Sequence, residues 1–318
     1  MKPRLVFVHG VGGARDPAAE LERWLEALAV GATAAGHTTR ARELLAGATA
    51  DVSFAYYADL FANPQAQGGH DTEEDYVLDV RDLLREAIEA RLSEGADNGD
   101  DVTALDRARA RLDPGETAQG SGSVVRQLLN VANSLFGVRG LRRFGGWASS
   151  RLLVGQLSQV TRYLGRAEAD GTGLTLDTRV RSRVTEALDP AVPTVVVAHS
   201  LGSVVALEAL ASYRGDIPLF LTLGSPLGLR AVVAQRVVPH PVQVPDPVSG
   251  WVNIWDRDDL IVGRPLLERF VRPNARSVLP SSRRVDSDGA WVHPVLKYLA
   301  HPGVAGPVMQ AVEVAARS

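Results

Sequence analysis

One stretch of the sequence, PTVVVAHSLGSVVALEALASY at residues 193–213, constrains the fold more than any other. Residues 194–198 are apolar or β-branched and show no alternation with polar residues, which is typical of a parallel strand buried on both faces. After a short turn the pattern becomes that of an apolar helix. A buried strand joined so tightly to a helix is typical of an α/β domain, so we expect a parallel sheet here.

Strand and helix patterns also alternate in the first and last parts of the chain. The predicted strands lie at 5–8, 52–61, 217–225, 251–256 and near 283–286, and the other predicted helices at 16–30, 177–188 and 293–301. This order predicts a mostly parallel sheet flanked by helices. With 318 residues, 45% of them hydrophobic, the chain is long enough for one large domain, 1–318.

The alternation is interrupted between the second strand and the buried central strand. We interpret residues 63–170 as an inserted helical subdomain, because connections in compact domains usually span only about 4–6 residues. Within it we predict a helix at 71–92, a loop-like polar tract at 93–123 and an apolar, glycine-interrupted helical region at 124–165.

The turn at the end of the central strand carries a serine between small residues. Ala198 precedes Ser200 by two positions and Gly202 follows it by two, as a tight strand-to-helix turn requires when it exposes a serine at the end of a sheet. Serine becomes a good nucleophile only beside a base. The segment Ala198-His199-Ser200-Leu201-Gly202 resembles the nucleophile motif of the α/β-hydrolase family, which usually begins with glycine instead of alanine.

The resemblance covers residues 1–62 and 176–318 and leaves out the insertion. It implies an α/β-hydrolase fold in which Ser200 is the nucleophile and the helical insertion caps an apolar acyl pocket. It also implies that His199 supports the nucleophile without being the base. Two other interpretations of the insertion stay open: a structural helix pair, or a segment that transiently contacts a membrane surface through arginines. Those arginines are Arg139, Arg142 and Arg143.

A second motif, LVFVHGVGG, follows the first predicted strand. It is similar to the family's His-Gly loop, here His9 and Gly10, which implies that the backbone N–H groups of Val11 and Leu201 form an oxyanion hole. A dinucleotide-binding loop would need a third glycine where Arg15 stands, so that alternative fails on its spacing. A plain glycine turn remains possible at this stage.

The family's chain order of nucleophile, acid and histidine implies the other two catalytic residues. His293 and His301 are the histidines after the predicted acid region, and we favour His293 because it stands on a loop just before a helix. In WVNIWDRDDLIVG, the resemblance implies that Asp259 is the acid, with Asp256 as the alternative.

Composition excludes several other chemistries. The chain has no cysteine, which removes disulfides and thiolate chemistry, and its only lysines are Lys2 and Lys297. The net charge of −3 gives no electrostatic reason to expect nucleic acid as a partner. No metal-ligand spacing is present, so we expect neither a metal nor another cofactor.

We therefore expect a serine esterase or lipase-like enzyme that acts on a small-molecule or lipid-like ester. The WVN strand and the His-Gly loop look similar to the lipase-like and inositol-deacylase-like branch. A thioesterase or acyltransferase with the same triad is the first alternative, and a catalytically silent interaction module is the second. The apolar run at 5–8 is too short for a secretory signal, so we expect a cytoplasmic protein.

Overall fold

The structure, a computed structural model, describes residues 2–61, 71–93, 99–112, 121–135, 147–287 and 293–317. Its strands are β1 (Arg4–Val8), β2 (Asp51–Ala55), β3 (Thr194–His199), β4 (Leu219–Leu223), β5 (Trp251–Asp256) and β6 (Pro280–Val285). They form one sheet in the order β2-β1-β3-β4-β5-β6, and all neighbouring strands are parallel. The fold is therefore α/β, as the buried central strand predicts.

Helices cover both faces of this sheet. They are α1 (Pro17–Ala34), α2 (Thr38–Leu45), α3 (Asp71–Ser93), α4 (Gly99–Leu112), α5 (Ser121–Leu135), α6 (Trp147–Gly165), α7 (Leu176–Ala187), α8 (Leu201–Ala211), α9 (Val295–Leu299) and α10 (Pro302–Arg317). Successive strand residues point to opposite faces, so Leu5 and Phe7 pack with α1, α2 and α10. Val6 and Val8 pack on the other face, with α7 and α8.

Where the structure describes the segment between β2 and α7, it contains four helices, followed by a non-helical connection at 166–175. Its four helices, α3 to α6, share one hydrophobic cluster with the sheet through buried residues such as Leu83, Leu128 and Tyr163. Among the described residues, no helix is both long and apolar enough to cross a membrane. The three arginines of the membrane-contact alternative lie outside the described residues.

The predicted loop at 93–123 is wrong in part, because α4 occupies its middle. This helix is polar along most of its length, which hid its periodicity. Leu105, Ala108 and Leu112 nevertheless recur at helical spacing and are fully buried. One narrow apolar stripe is therefore enough to dock the helix on its neighbours.

Two other boundaries differ from the prediction. The strand predicted at 52–61 ends at Ala55 and is followed by a 3-10 turn at Ala58–Phe61. The helix predicted at 293–301 is shorter, Val295–Leu299, and a further helix, α10, begins at Pro302, a position where proline costs no hydrogen bond.

A buried ionic network joins the last insertion helix to the helix that follows Ser200. The Glu208 side chain on α8 is 1% exposed and accepts hydrogen bonds from Arg166 (2.5 Å), Arg181 (3.0 Å) and the Tyr163 hydroxyl (2.6 Å). Because a carboxylate at this depth is costly without partners, these contacts fix α6, α7 and α8 relative to one another.

Candidate active site

The sheet order places a crevice at the carboxyl ends of β1 and β3. The chain runs from β1 outward to β2 on one side, and β3 then pairs with β1 on the other side. Ligands of open α/β sheets bind at such a switch point, outside the carboxyl ends of the strands. His9 follows β1, and Ser200 follows β3, so both stand at this crevice.

Ser200 adopts a backbone conformation that few residues other than glycine adopt. Its φ of 52° and ψ of −130° place it at the sharp junction between β3 and α8. Its N–H donates to the Leu223 carbonyl at 2.9 Å, and its carbonyl accepts from the N–H of Ser203. Strain of this kind costs about 1–3 kcal/mol and is typical of functional sites.

The structure brings Ser200, His293 and Asp259 into one hydrogen-bonded row. His293 Nε2 lies 3.0 Å from Ser200 Oγ, and His293 Nδ1 lies 2.8 Å and 3.0 Å from the two carboxylate oxygens of Asp259. A carboxylate only accepts hydrogen bonds, so Nδ1 carries the proton and Nε2 is free to accept from the serine hydroxyl. The three side chains are buried.

Asp259 has two further donors besides His293. Its carboxylate accepts from the Ile261 N–H at 3.1 Å and from the Tyr298 hydroxyl at 2.8 Å, and it is shielded from solvent. Burial first, and then the Asp259 charge, raise the pKa of Tyr298 well above its ordinary value, so this hydroxyl keeps its proton and donates. Sequence reasoning did not assign Tyr298 this role; its position on α9, five residues after His293, was the available signal.

The alternative acid and base lie outside this row. Asp256 accepts from the backbone N–H groups of Ser287 (2.6 Å) and Asp258 (2.9 Å), and its pKa is raised, chiefly by burial. His301 accepts from the Gly303 N–H at 3.0 Å, between α9 and α10. The side chains of Asp256 and His301 therefore stabilise turns by accepting hydrogen bonds from backbone N–H groups.

His199 holds the backbone of the loop that carries His293. Its Nε2 lies 2.7 Å from the His293 carbonyl oxygen, so Nε2 carries a proton and donates. Burial, followed by the proximity of His293, lowers the pKa of His199 well below its ordinary value. A neutral His199 thus fixes the position of His293 from beneath.

The loop after β1 packs directly on the turn that carries Ser200. A Cβ atom on Gly10 would lie 2.7 Å from Ser200 Cβ, and one on Gly202 would lie 2.6 Å from the Val8 carbonyl oxygen. Both positions therefore require glycine. In the described part of the chain, the N–H groups of Val11 and Leu201 donate to no other group of the protein, which leaves both available to a ligand.

His9 orients the peptide group that contains the Val11 N–H. The ring accepts from the Tyr57 N–H at Nε2 (2.9 Å), so Nδ1 carries the proton and donates to the Gly10 carbonyl at 2.6 Å. Burial lowers the pKa of His9 to about 4, so the ring is neutral near pH 7. In a trans peptide the Gly10 carbonyl and the Val11 N–H point in opposite directions, so this bond turns the N–H away from His9.

A cavity of about 330 Å³ opens beside these residues. His293, His199 and residues 9–13 of the loop after β1 line it, together with aromatic and aliphatic side chains: Trp24, Phe54, Tyr56, Val295 and Leu296. Arg15, Arg23 and Glu20 also line it, and both arginines donate to Glu20. Within the residues that the structure describes, no three His, Asp or Glu side chains come together as metal ligands would.

Comparison with known proteins finds no matching family, no matching curated protein and no matching solved structure. The function must therefore be inferred from the geometry of this site.

Proposed function

We propose that this protein is a serine hydrolase of the α/β-hydrolase fold that cleaves carboxylic esters. The observation that carries the proposal is the row of Ser200, His293 and Asp259, with 3.0 Å and 2.8 Å between successive partners. The strained turn at Ser200 and the two free N–H groups at Val11 and Leu201 support it further. The chain order of nucleophile, acid and histidine is also that of α/β-hydrolases.

In the first half of the proposed reaction, Ser200 Oγ attacks the carbonyl carbon of the ester while its proton moves to His293 Nε2. Asp259 accepts the Nδ1–H of His293 and stabilises the imidazolium that forms. The N–H groups of Val11 and Leu201 stabilise the oxyanion of the tetrahedral intermediate. The intermediate then collapses, the carbon–oxygen bond to the alcohol breaks, and His293 returns its proton to the leaving alcohol.

In the second half, water hydrolyses the acyl-enzyme. His293 Nε2 takes a proton from water as the water oxygen attacks the acyl carbon, and a second tetrahedral intermediate forms at the same two N–H groups. Its collapse returns the proton to Ser200 Oγ and releases the carboxylic acid. The sum is one ester and one water converted to one acid and one alcohol.

The cavity beside the triad supports an ester with an apolar group of moderate size. Its volume of about 330 Å³ is at the small end of ligand pockets, and its aromatic and aliphatic wall suits an acyl chain or an aromatic alcohol. We assign the insertion the role of a cap on this site through α6, whose Gln156 lines the cavity.

Labelling with a fluorophosphonate probe, read by intact mass, tests the proposal. We expect one adduct on the wild type and none on Ser200→Ala, because only an activated serine reacts with the probe. Ser212→Ala, a serine at the far end of α8, serves as the matched control and should label like the wild type. A folded wild type that neither labels nor hydrolyses any ester in a panel of chain lengths would contradict the proposal.

The same preparation separates the alternatives. A thioesterase would cleave thioesters much faster than the matching oxygen esters. An acyltransferase would transfer the acyl group to an added alcohol in preference to water. An interaction module would remain unlabelled although folded.

A further inference from the structure

The loop that carries Val11 is bound by a single side chain of the insertion. Gly12 donates its N–H to Gln159 Oε1 at 2.9 Å, and Gln159 Nε2 donates to the Gly12 carbonyl at 3.1 Å. One side-chain amide thus pairs with both backbone groups of one residue. Gln159 lies on α6 and is 147 positions away in sequence.

This contact matters because little else restrains that part of the loop. A Cβ atom at Gly12 or Gly13 would meet no atom within 4 Å beyond the chain neighbours, so there is open space beside both glycines. Gly12 has a φ of 155°, which glycine adopts most readily, and glycine loses more conformational freedom on ordering than any other residue. At Gly12 the two hydrogen bonds to Gln159 are therefore an important restraint on the backbone.

The Val11 N–H lies between two such restraints. On one side His9 Nδ1 binds the Gly10 carbonyl, which belongs to the same peptide group as the Val11 N–H. On the other side Gln159 binds both backbone groups of Gly12. The Val11 side chain packs against the hydrophobic cluster, and His9 and Gln159 fix the backbone groups on either side of it.

We propose that Gln159 is a positioning residue through which the insertion sets the geometry of the oxyanion hole. The inference rests on the proposed function. Gln159 touches neither the substrate nor the reacting atoms; it acts through the backbone of Gly12 on the N–H of Val11. Gln156, one helical turn earlier on α6, lines the cavity, so a ligand that contacts this face of the helix also acts on the loop. The insertion then links occupation of the cavity to stabilisation of the oxyanion.

Gln159→Met tests this role, because methionine keeps the length and helix preference of glutamine but neither donates nor accepts as the amide does. We expect kcat on an oxygen ester to fall about 10- to 100-fold with KM nearly unchanged, as for a displaced oxyanion donor. The fall should be smaller on the matching thionoester. In a thionoester, sulfur replaces the carbonyl oxygen. Sulfur accepts hydrogen bonds weakly, so the Val11 N–H stabilises the transition state of a thionoester less.

The ratio of the two rates separates positioning from loss of folded protein. A variant that is only less stable loses activity on both esters equally and keeps the wild-type ratio. Gln127→Met is the matched control: Gln127 of α5 also binds a backbone carbonyl, that of Arg111, but within the insertion. It should keep the wild-type ratio.

Two results would count against the inference, and they differ. A Gln159→Met protein that turns over both esters with the wild-type ratio overturns the positioning role and leaves the proposed function intact. A folded wild type that hydrolyses neither ester overturns the proposed function, and the role of Gln159 with it.

Discussion

His293 is restrained at three separate points, which suits the proton transfers proposed for it. Asp259 binds its Nδ1, Ser200 Oγ faces its Nε2, and His199 donates to its backbone carbonyl. The ring cannot rotate without breaking two hydrogen bonds, and the loop cannot shift without breaking the third. Preorganisation of this kind lowers the cost of reorganising the site during the reaction.

Replacement of Asp259 tests the assignment of the acid. Asp259→Asn keeps the shape of the side chain but removes its charge and favours the wrong tautomer of His293. We expect kcat to fall by about 10³- to 10⁴-fold with little change in KM, as in other Ser-His-Asp sites. Steady-state hydrolysis of the best ester found in the panel measures the effect.

Neighbouring aspartates in the same turn provide the controls. Asp258 pairs with Arg91 at 3.0 Å and does not contact His293, so Asp258→Asn should retain near wild-type activity. Asp256→Asn should lower stability more than kcat, because Asp256 binds two backbone N–H groups. A larger loss of kcat for Asp256→Asn than for Asp259→Asn would move the acid to Asp256.

At the scale of elements, the site depends on how closely two loops approach. The loop after β1 and the turn after β3 belong to adjacent strands in the sheet, and only a residue without a side chain fits between them. Gly10 satisfies this requirement from the β1 side and Gly202 from the β3 side. The sequence motif around each glycine is therefore a packing requirement as well as a chemical one.

Gly10→Ala tests this close approach. The added methyl group would lie 2.7 Å from Ser200 Cβ and 2.9 Å from the His199 carbonyl oxygen, so the loop must shift. We expect a loss of about 1–3 kcal/mol in the free energy of unfolding, typical of overpacking, together with a fall in kcat. Urea unfolding measures the stability. Gly13→Ala, whose methyl group meets open space, should leave stability unchanged or slightly raised; an equal loss in both variants would contradict the close approach.

The elements themselves are largely predictable from the sequence, because each has a local signal. The strand at 251–256 matches β5 residue by residue, since apolar and aromatic residues occupy four of its six positions. The helices α2, α4 and α10 are not among the elements predicted from the sequence, and in α4 the apolar signal is a single narrow stripe. The resemblance to the α/β-hydrolase motif and chain order implies Ser200, Asp259 and His293, with Asp256 as the alternative acid, and the structure brings the first three together.

The contacts that hold these residues in position are not predictable in the same way. His199 meets the His293 carbonyl across 94 residues, and Gln159 meets Gly12 across 147. Neither contact has a sequence pattern, because one partner in each is a backbone group that any residue could supply. Such restraints become visible only once the tertiary structure places the elements.

At the scale of the whole molecule, two neutral histidines lie where the loops and the sheet meet. Burial lowers the pKa of His9 to about 4 and that of His199 well below its ordinary value. An unfolded chain protonates both near pH 6.5, whereas the folded chain does not. The unfolded state therefore binds more protons in acid, and folding stability must fall as the pH drops below 6.5.

This linkage predicts an acid-labile fold. Between pH 7 and 4.5, protonation of His9 in the unfolded chain should lower the free energy of unfolding by up to about 2 kcal/mol. Because part of the ring is exposed to the cavity, the actual loss should be smaller. His199 adds a loss of the same sign. Urea unfolding at several pH values, compared between His9→Gln and the wild type, isolates His9, because the carboxyl groups that also titrate near pH 4.5 are common to both proteins. His9→Gln should be less stable than the wild type at pH 7 but should lose less stability on acidification. In the control His240→Gln, which replaces an exposed histidine, the free energy of unfolding should change with pH as in the wild type. If it also changes with pH as in the wild type in His9→Gln, His9 is not held neutral in the folded protein.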